Sequence, residues 1–109
     1  MSGIDQAEVE ECRQIAAAWA GTLRALGNDE RLLIALWLAG GTRSVRELEQ
    51  VTGLGQSLVS YHLRELRNAG LVTAAQVGRS NRYRLSCRDL DDLLSLIGRL
   101  EQAAQNAAA

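Results

Sequence analysis

The stretch GLGQSLVSYHLRELRNAGLV, residues 53–72, concentrates groups able to recognise a polyanion. Gln56, Ser57, Ser60, Tyr61, Arg64 and Arg67 supply amide, hydroxyl and guanidinium groups, and Glu65 is the stretch's one acid. At about 100° per residue, Leu58, Val59, His62, Leu63 and Leu66 fall on one arc of a helix, which is expected to be buried. Gln56, Ser57, Ser60, Arg64 and Arg67 fall on the opposite arc, with Tyr61 and Glu65 at its margin. Such groups suit a major groove: Arg pairs with guanine, Gln with adenine and Ser with either, while guanidiniums also meet phosphates. The first turn, with Gln56 and Ser57, adds the positive end of the helix dipole. A merely solvated face is the ordinary explanation of a polar arc, so its neighbours must decide.

Both neighbours favour recognition. Upstream, Ser44 and Glu47 form an S-x-x-E capping box that opens a short helix through Val45, Leu48 and Val51, and Gly53 stops it. Two short helices across the turn TGLG make a helix-turn-helix. Downstream, LVTAAQVGRSNRYRL reads as a β-hairpin with Gly78–Asn81 in its middle. Strand alternation then sets Tyr83 and Leu85 on one face and Arg82 and Arg84 on the other. With Arg79, these arginines are candidates for phosphates or an adjacent minor groove.

The remaining elements must position this unit. Val9, Cys12, Ala16, Trp19, Leu23 and Leu26 recur at three- and four-residue steps, predicting a first helix from Glu8. Asn28 is a cap for a second helix, ERLLIALWLA, whose near-uniform apolarity predicts a place deep in the core. Leu90, Leu93, Leu94, Ile97, Leu100 and Ala104 mark a last helix, and Asp89, Asp91 and Asp92 suit the dipole of its first turn. The expected class is mainly α with a small β-hairpin: four helices, two strands and a fifth helix, a winged helix-turn-helix. Residues 1–7 are expected to be disordered, 8–105 to form one domain and 106–109 to fray. The two terminal stripes exceed what such a core covers. Val9, Cys12, Ala16 and Trp19, with Leu90, Leu94, Ile97 and Leu100, are therefore expected to form a homodimer interface.

Composition agrees with that size and partner. The 109 residues suit a single domain and carry a net charge of −1. The charge is segregated: residues 43–88 hold eight Arg against three acids, and the rest four Arg against ten acids. A basic middle between acidic ends suits a polyanion while limiting non-specific attraction. Two distant cysteines, a polar start and no long apolar run make a soluble, cytoplasmic protein without a membrane partner the expectation. No nucleophile–base set, phosphate-binding glycine loop or HExxH is present, so an enzyme is not expected.

Over residues 22–85 the chain resembles the ArsR/SmtB family of bacterial winged-helix repressors. The resemblance rests on LGNDERLLIALWL, on SVRELEQVTGLGQSLVSYHLRELRNAGLV and on GRSNRYRL. The family pattern Q-S-x-V-S-x-H-L, then L-x-x-A-G-L-V, is met by Gln56, Ser57, Val59, Ser60, His62, Leu63, Leu66, Ala69, Gly70, Leu71 and Val72. Gly55 stands where the family commonly has Ser. The resemblance implies a homodimer through the first and last helices that binds double-stranded operator DNA with the 56–68 helix and the 72–85 wing. It also implies release of DNA by a metal ion, and here the chain departs. Ser44 and Arg46 occupy the positions of a family thiolate pair, and His62 is the only imidazole. No cofactor is expected. Weak metal candidates are Cys12, His62, Cys87, Asp89 and Asp91; packing explains Cys12 and His62 more simply. The reading is a dimeric operator-binding regulator, expected to repress as the resemblance implies, with no inducer identified. Its alternatives are a regulator that depends on a partner, such as a protein co-regulator, or responds to a metal or thiol change through a non-standard sensing site, and a winged-helix interaction module that does not read DNA.

Overall fold

The computed structural model describes residues 3–108, without the side chains of residues 87–89. The order is α1 (Gln6–Leu26), α2 (Asp29–Ala39), α3 (Val45–Thr52), α4 (Gln56–Asn68), β1 (Val72–Val77), β2 (Ser80–Leu85) and α5 (Cys87–Ala108). This is the expected winged helix-turn-helix, and local chemistry sets most of its boundaries. Asn28 Oδ1 accepts the Glu30 and Arg31 amides at 3.0 and 3.1 Å. Ser44 Oγ accepts the Glu47 amide at 3.1 Å while Glu47 Oε1 accepts the Ser44 amide at 3.2 Å, completing the capping box. Helix α1 starts two residues before the expected Glu8 because Asp5 caps it, accepting the Ala7 amide at 2.9 Å. Helix α5 continues to Ala108, past the expected end at residue 105.

The turn between α3 and α4 is built from three residues. Thr52 Oγ1 donates to the Leu48 carbonyl at 2.6 Å and accepts the Leu54 amide at 3.2 Å. Gly53 adopts φ 75°, a left-handed conformation that a side chain disfavours. Leu54 packs against the core, which fixes the angle at which α4 leaves.

That core joins Ile34 and Leu38 of α2, Leu48 of α3, Val59, Leu63 and Leu66 of α4, and Leu71 and Val72 at the wing base. The wing pairs antiparallel from Val72 with Leu85 to Val77 with Ser80. Its connection is tighter than expected: only Gly78 and Arg79 lie outside the strands. Gly78 has φ 63° and Arg79 a negative φ, the pattern of a hairpin turn with glycine at its first central position. Arg43 adds a feature that the sequence pattern did not reveal. It exchanges backbone hydrogen bonds of 3.0 and 2.8 Å with Tyr83, laying a one-residue third strand against β2.

Two burial expectations are corrected. Helix α2 is not enclosed: Ile34, Ala35 and Leu38 are buried, but Leu32, Leu33, Leu36 and Trp37 are exposed, because the elements packed against it, α1, α3, α4 and β2, leave one side open. Leu58, assigned to the inward arc of α4, is 38% exposed, lying at the edge where the arc leaves the core. The molecule is also long, 64 × 26 × 20 Å, with a radius of gyration of 17.7 Å. A compact chain of this length has about 13 Å. The terminal helices account for the difference. Leu94, Ile97 and Leu100 of α5 are 66%, 48% and 62% exposed, and Leu23 and Val9 of α1 are also exposed. Among the described residues, no helix is long and apolar enough to cross a membrane.

Leu48 is fully enclosed. Leu48→Ala should lose about 2–5 kcal/mol in urea unfolding, and Ser44→Ala about 1 kcal/mol. A Leu48→Ala loss no larger than the Ser44→Ala loss would contradict this core.

Candidate nucleic-acid interface

Helix α4 presents the expected polar arc outward. Val59, His62, Leu63 and Leu66 are buried, whereas Gln56, Ser57, Tyr61, Arg64 and Arg67 are exposed and Ser60 is half-buried. The cause is the period of the sequence: once one arc is locked into α2 and α3, the opposite arc has no protein surface to meet. Among the described residues, the side chains of Gln56, Ser57, Ser60, Arg64, Arg67 and Arg79 make no hydrogen bond or ion pair within the chain. Their donors are turned to solvent. Tyr61 leans on the His62 ring, with centroids 5.2 Å apart. Ser60, Arg64 and Arg67 of α4, with Tyr83 of the wing, line a groove of about 450 Å³ between helix and hairpin.

His62 ties α4 to α2. It is 3% exposed, and its Nε2 lies 3.4 Å from Glu30 Oε1. Its Nδ1 is buried without a hydrogen-bond partner.

The wing arginines do different things. Arg79 sits at the hairpin tip, exposed. Arg84 is exposed, and its Nε donates to Thr73 Oγ1 across the strand pair at 3.2 Å. Arg82, expected to be free for phosphate, is engaged within the fold. Its Nη1 donates to Glu47 Oε1 at 2.6 Å, its Nη2 to the Thr42 carbonyl at 2.8 Å and its Nε to Thr42 Oγ1 at 3.2 Å. Sequence reasoning missed this because Glu47 lies 35 positions away. The one signal was Glu47 itself, the carboxylate of the capping box. Its Oε1 serves the α3 cap and the wing together, and the Arg82 hydrogen bond, followed by that of the Ser44 amide, holds its pKa below the ordinary carboxylate value.

Among the described residues, the metal candidates lie apart. Cys12 is exposed on α1, on the stripe expected to meet a second copy, and His62 is enclosed in the core. The side chains of Cys87 and Asp89 lie outside the described residues, and Asp91 is exposed. Among the described residues, no group of three or more His, Cys, Asp or Glu side chains comes together to hold a metal. The donor set does not fit a thiolate site at the start of α3 either: Ser44 offers a hydroxyl engaged in capping, and Arg46 a cation.

Comparison with known proteins gives this arrangement a family. The profile described as bacterial regulatory protein, arsR family, matches residues 28–74, from the α2 cap through the start of the wing. The transcriptional regulator NmtR of Mycobacterium tuberculosis is 46% identical over 72 residues, covering 66% of this chain and 60% of NmtR. Reduced HlyU from Vibrio cholerae superimposes with a TM-score of 0.71 at 33% identity, covering 84% of this chain and 96% of HlyU. A homodimeric winged helix-turn-helix DNA-binding domain from Mycobacterium bovis, solved by NMR, gives 0.66 at 29% identity, covering 94% of this chain and 91% of that domain. The chain spans little more than half the length of curated relatives such as NmtR and the M. tuberculosis repressor SmtB, 60% and 55% respectively.

The Arg82–Glu47 pair has a pH signature. A carboxylate whose folded pKa is depressed contributes stability that is present above its unfolded pKa and lost as pH falls through the folded one. The parent should therefore melt above Glu47→Gln at about pH 7, with the gap closing in acid as Glu47 protonates. A gap unchanged down to about pH 2 would contradict the pairing.

Proposed function

This chain belongs to the ArsR family of bacterial regulatory proteins, whose fold is that of transcriptional regulators and not of enzymes, and from that premise we propose that it is a dimeric, sequence-specific DNA-binding regulator. Two copies of α4 enter successive major grooves, about 34 Å apart, and read an inverted repeat. Occupation of that operator represses by excluding other proteins from it. HlyU is named a transcriptional activator, so the direction of control follows from where the operator lies and not from the fold.

One observation carries the reading: the outer arc of α4 displays Gln56, Ser57, Ser60, Arg64 and Arg67 with no partner among the described residues. Arg64 and Gln56 are the proposed base readers, since both offer paired hydrogen bonds to a purine edge. Ser57, Ser60, Tyr61 and Arg67 position the helix on base edges and phosphates. Arg79 at the wing tip supplies sequence-independent attraction, and Arg84 adds to it from β2. Arg82 holds the wing in place through Glu47 and Thr42. The exposed faces of α1 and α5, with Val9, Cys12, Ala16 and Trp19 opposite Leu90, Leu94, Ile97 and Leu100, support a two-fold interface that buries the surplus apolar surface. Residues 8–105 are the proposed functional unit, without a required metal.

Arg64→Ala should lose about 1–3 kcal/mol of operator binding and relax base preference at one position. Arg79→Ala should weaken all sequences alike and lower the salt slope by about 1. A gel-shift titration over the gene's own upstream DNA at two salt concentrations measures both. Equal affinity for operator and random DNA in the parent would remove sequence reading. For the dimer, Leu94→Arg should halve the sedimenting mass; an unchanged dimer would place the interface elsewhere.

A further inference from the structure

A second polar cleft lies apart from the groove between α4 and the wing, sharing only Asn68 with it. It opens between the C-terminal half of α1 and the end of α4, and has a volume of about 500 Å³. Thr22 and Arg24 come from α1, Arg31 from the first turns of α2, and Glu65 and Asn68 from α4. Gly21 leaves its α1 wall low: a Cβ there would sit 3.9 Å from Arg24 Nη2, so that guanidinium lies back along the helix toward the opening.

We propose that this cleft is a binding site for a small free oxyanion, a carboxylate or a tetrahedral oxyacid, held between Arg31 and Arg24. Arg31 is the chief reason. Its side chain is only 16% exposed, and its Nε is buried without a hydrogen-bond partner among the described residues. Its nearest charge partner is Glu65, with Nη1 to Oε2 at 3.8 Å, beyond the 2.7–3.2 Å of a formed N–H···O bond. A buried guanidinium left in this state is costly, because each unmet buried donor forfeits its hydration. Arg82 in the same chain shows the contrast, with all three of its nitrogens engaged.

The surroundings select the ligand. Two guanidiniums face one carboxylate, so the cleft carries a net positive charge and favours an anion of low charge. The planar donor fork of an arginine matches the paired oxygens of a carboxylate, sulfate or phosphate. The Thr22 hydroxyl and the Asn68 amide, which have no hydrogen-bond partner among the described residues, add neutral donors at the rim. An oxyanion bridging Arg31 and Arg24 would connect α1 to α2 beside the end of α4.

The test uses the intact chain without DNA, sodium sulfate and sodium acetate as probes, and sodium chloride to hold ionic strength constant. Sulfate stabilises folded proteins generally, so the decisive comparison is with Arg24→Gln, an exposed position whose replacement leaves the core alone. Two readouts are taken: melting temperature, and the Arg31 Nε–H resonance in a nitrogen–proton NMR spectrum. The expected result is a saturable shift of that resonance with at least one probe, a half-saturation on the order of 1 mM, and affinity weakened about tenfold in Arg24→Gln, the scale of one charge-assisted contact. Neither probe moving the Arg31 resonance saturably, or equal responses in parent and variant, would overturn the site.

Discussion

Everything outward in this protein depends on one inward contact, the burial of Val59, His62, Leu63 and Leu66 against α2 and α3. A helix has two faces and one rotation. Once four side chains on one arc are enclosed, Gln56, Ser60, Arg64 and Arg67 have no freedom to face anything but solvent or a partner. The short α3 contributes Leu48 to that contact, and Thr52, Gly53 and Leu54 set the angle between the helices. Recognition chemistry on α4 is thus a by-product of packing energy: the donors are displayed because the apolar arc is hidden. Gly55 begins α4 without a side-chain cap hydrogen bond, so the first turn, where Gln56 and Ser57 sit, keeps amides that point out of the helix end.

The wing follows a related logic with a different force. A two-stranded hairpin is marginal on its own, and this one is held at its base by Val72 in the core and Leu85 packed against it, and further along by polar contacts. Arg82 joins β2 to Thr42 and Glu47, and Arg43 joins Tyr83 through paired backbone hydrogen bonds. Arg43 is itself steadied by Trp37, with its guanidinium carbon 5.6 Å from the ring centre. The tip carries Gly78 and Arg79 with no such ties. An anchored base with a free cationic tip lets a hairpin meet a phosphate backbone of variable shape without moving relative to α4. The three arginines of the hairpin accordingly have unlike surroundings: Arg82 is tied to Glu47 and Thr42, Arg84 braces the strand pair through Thr73, and Arg79 is exposed at the tip.

The sequence disclosed what is decided locally. The caps at Asn28 and Ser44, the stop at Gly53, the alternation of Tyr83 with Arg82 and Arg84, and the inner arc of α4 all depend on residues within a few positions of one another. It was silent where neighbours are distant. Nothing near Arg82 says that Glu47 will be opposite it, and nothing near Arg43 announces a bridge to Tyr83. Helix α2 shows the converse failure. Its apolar composition is real, but burial is conferred by whatever packs alongside, and its neighbours in the fold enclose only Ile34, Ala35 and Leu38. Leu58 fails for a smaller reason: an arc drawn on a wheel has soft edges, and the core ends before it.

The exposed apolar residues of α1, α2 and α5 turn that failure into an argument about assembly. Single exposed leucines are ordinary on protein surfaces, but here Leu94, Ile97 and Leu100 recur along one stripe of α5, and Val9 and Leu23 along α1. Surface of this kind is stable in water when something covers it. The proposed two-fold dimer covers it with an identical stripe. This geometry also constrains reading. Two copies of α4 present their donors at a fixed separation only if the helices that join the copies are stiff. Long helices packed along their length are stiffer than any loop, which suits α1 and α5 to set the spacing between two half-sites. In the proposed dimer, α1 and α5 would bear on base recognition without touching a base, by holding two identical faces at the pitch of a duplex.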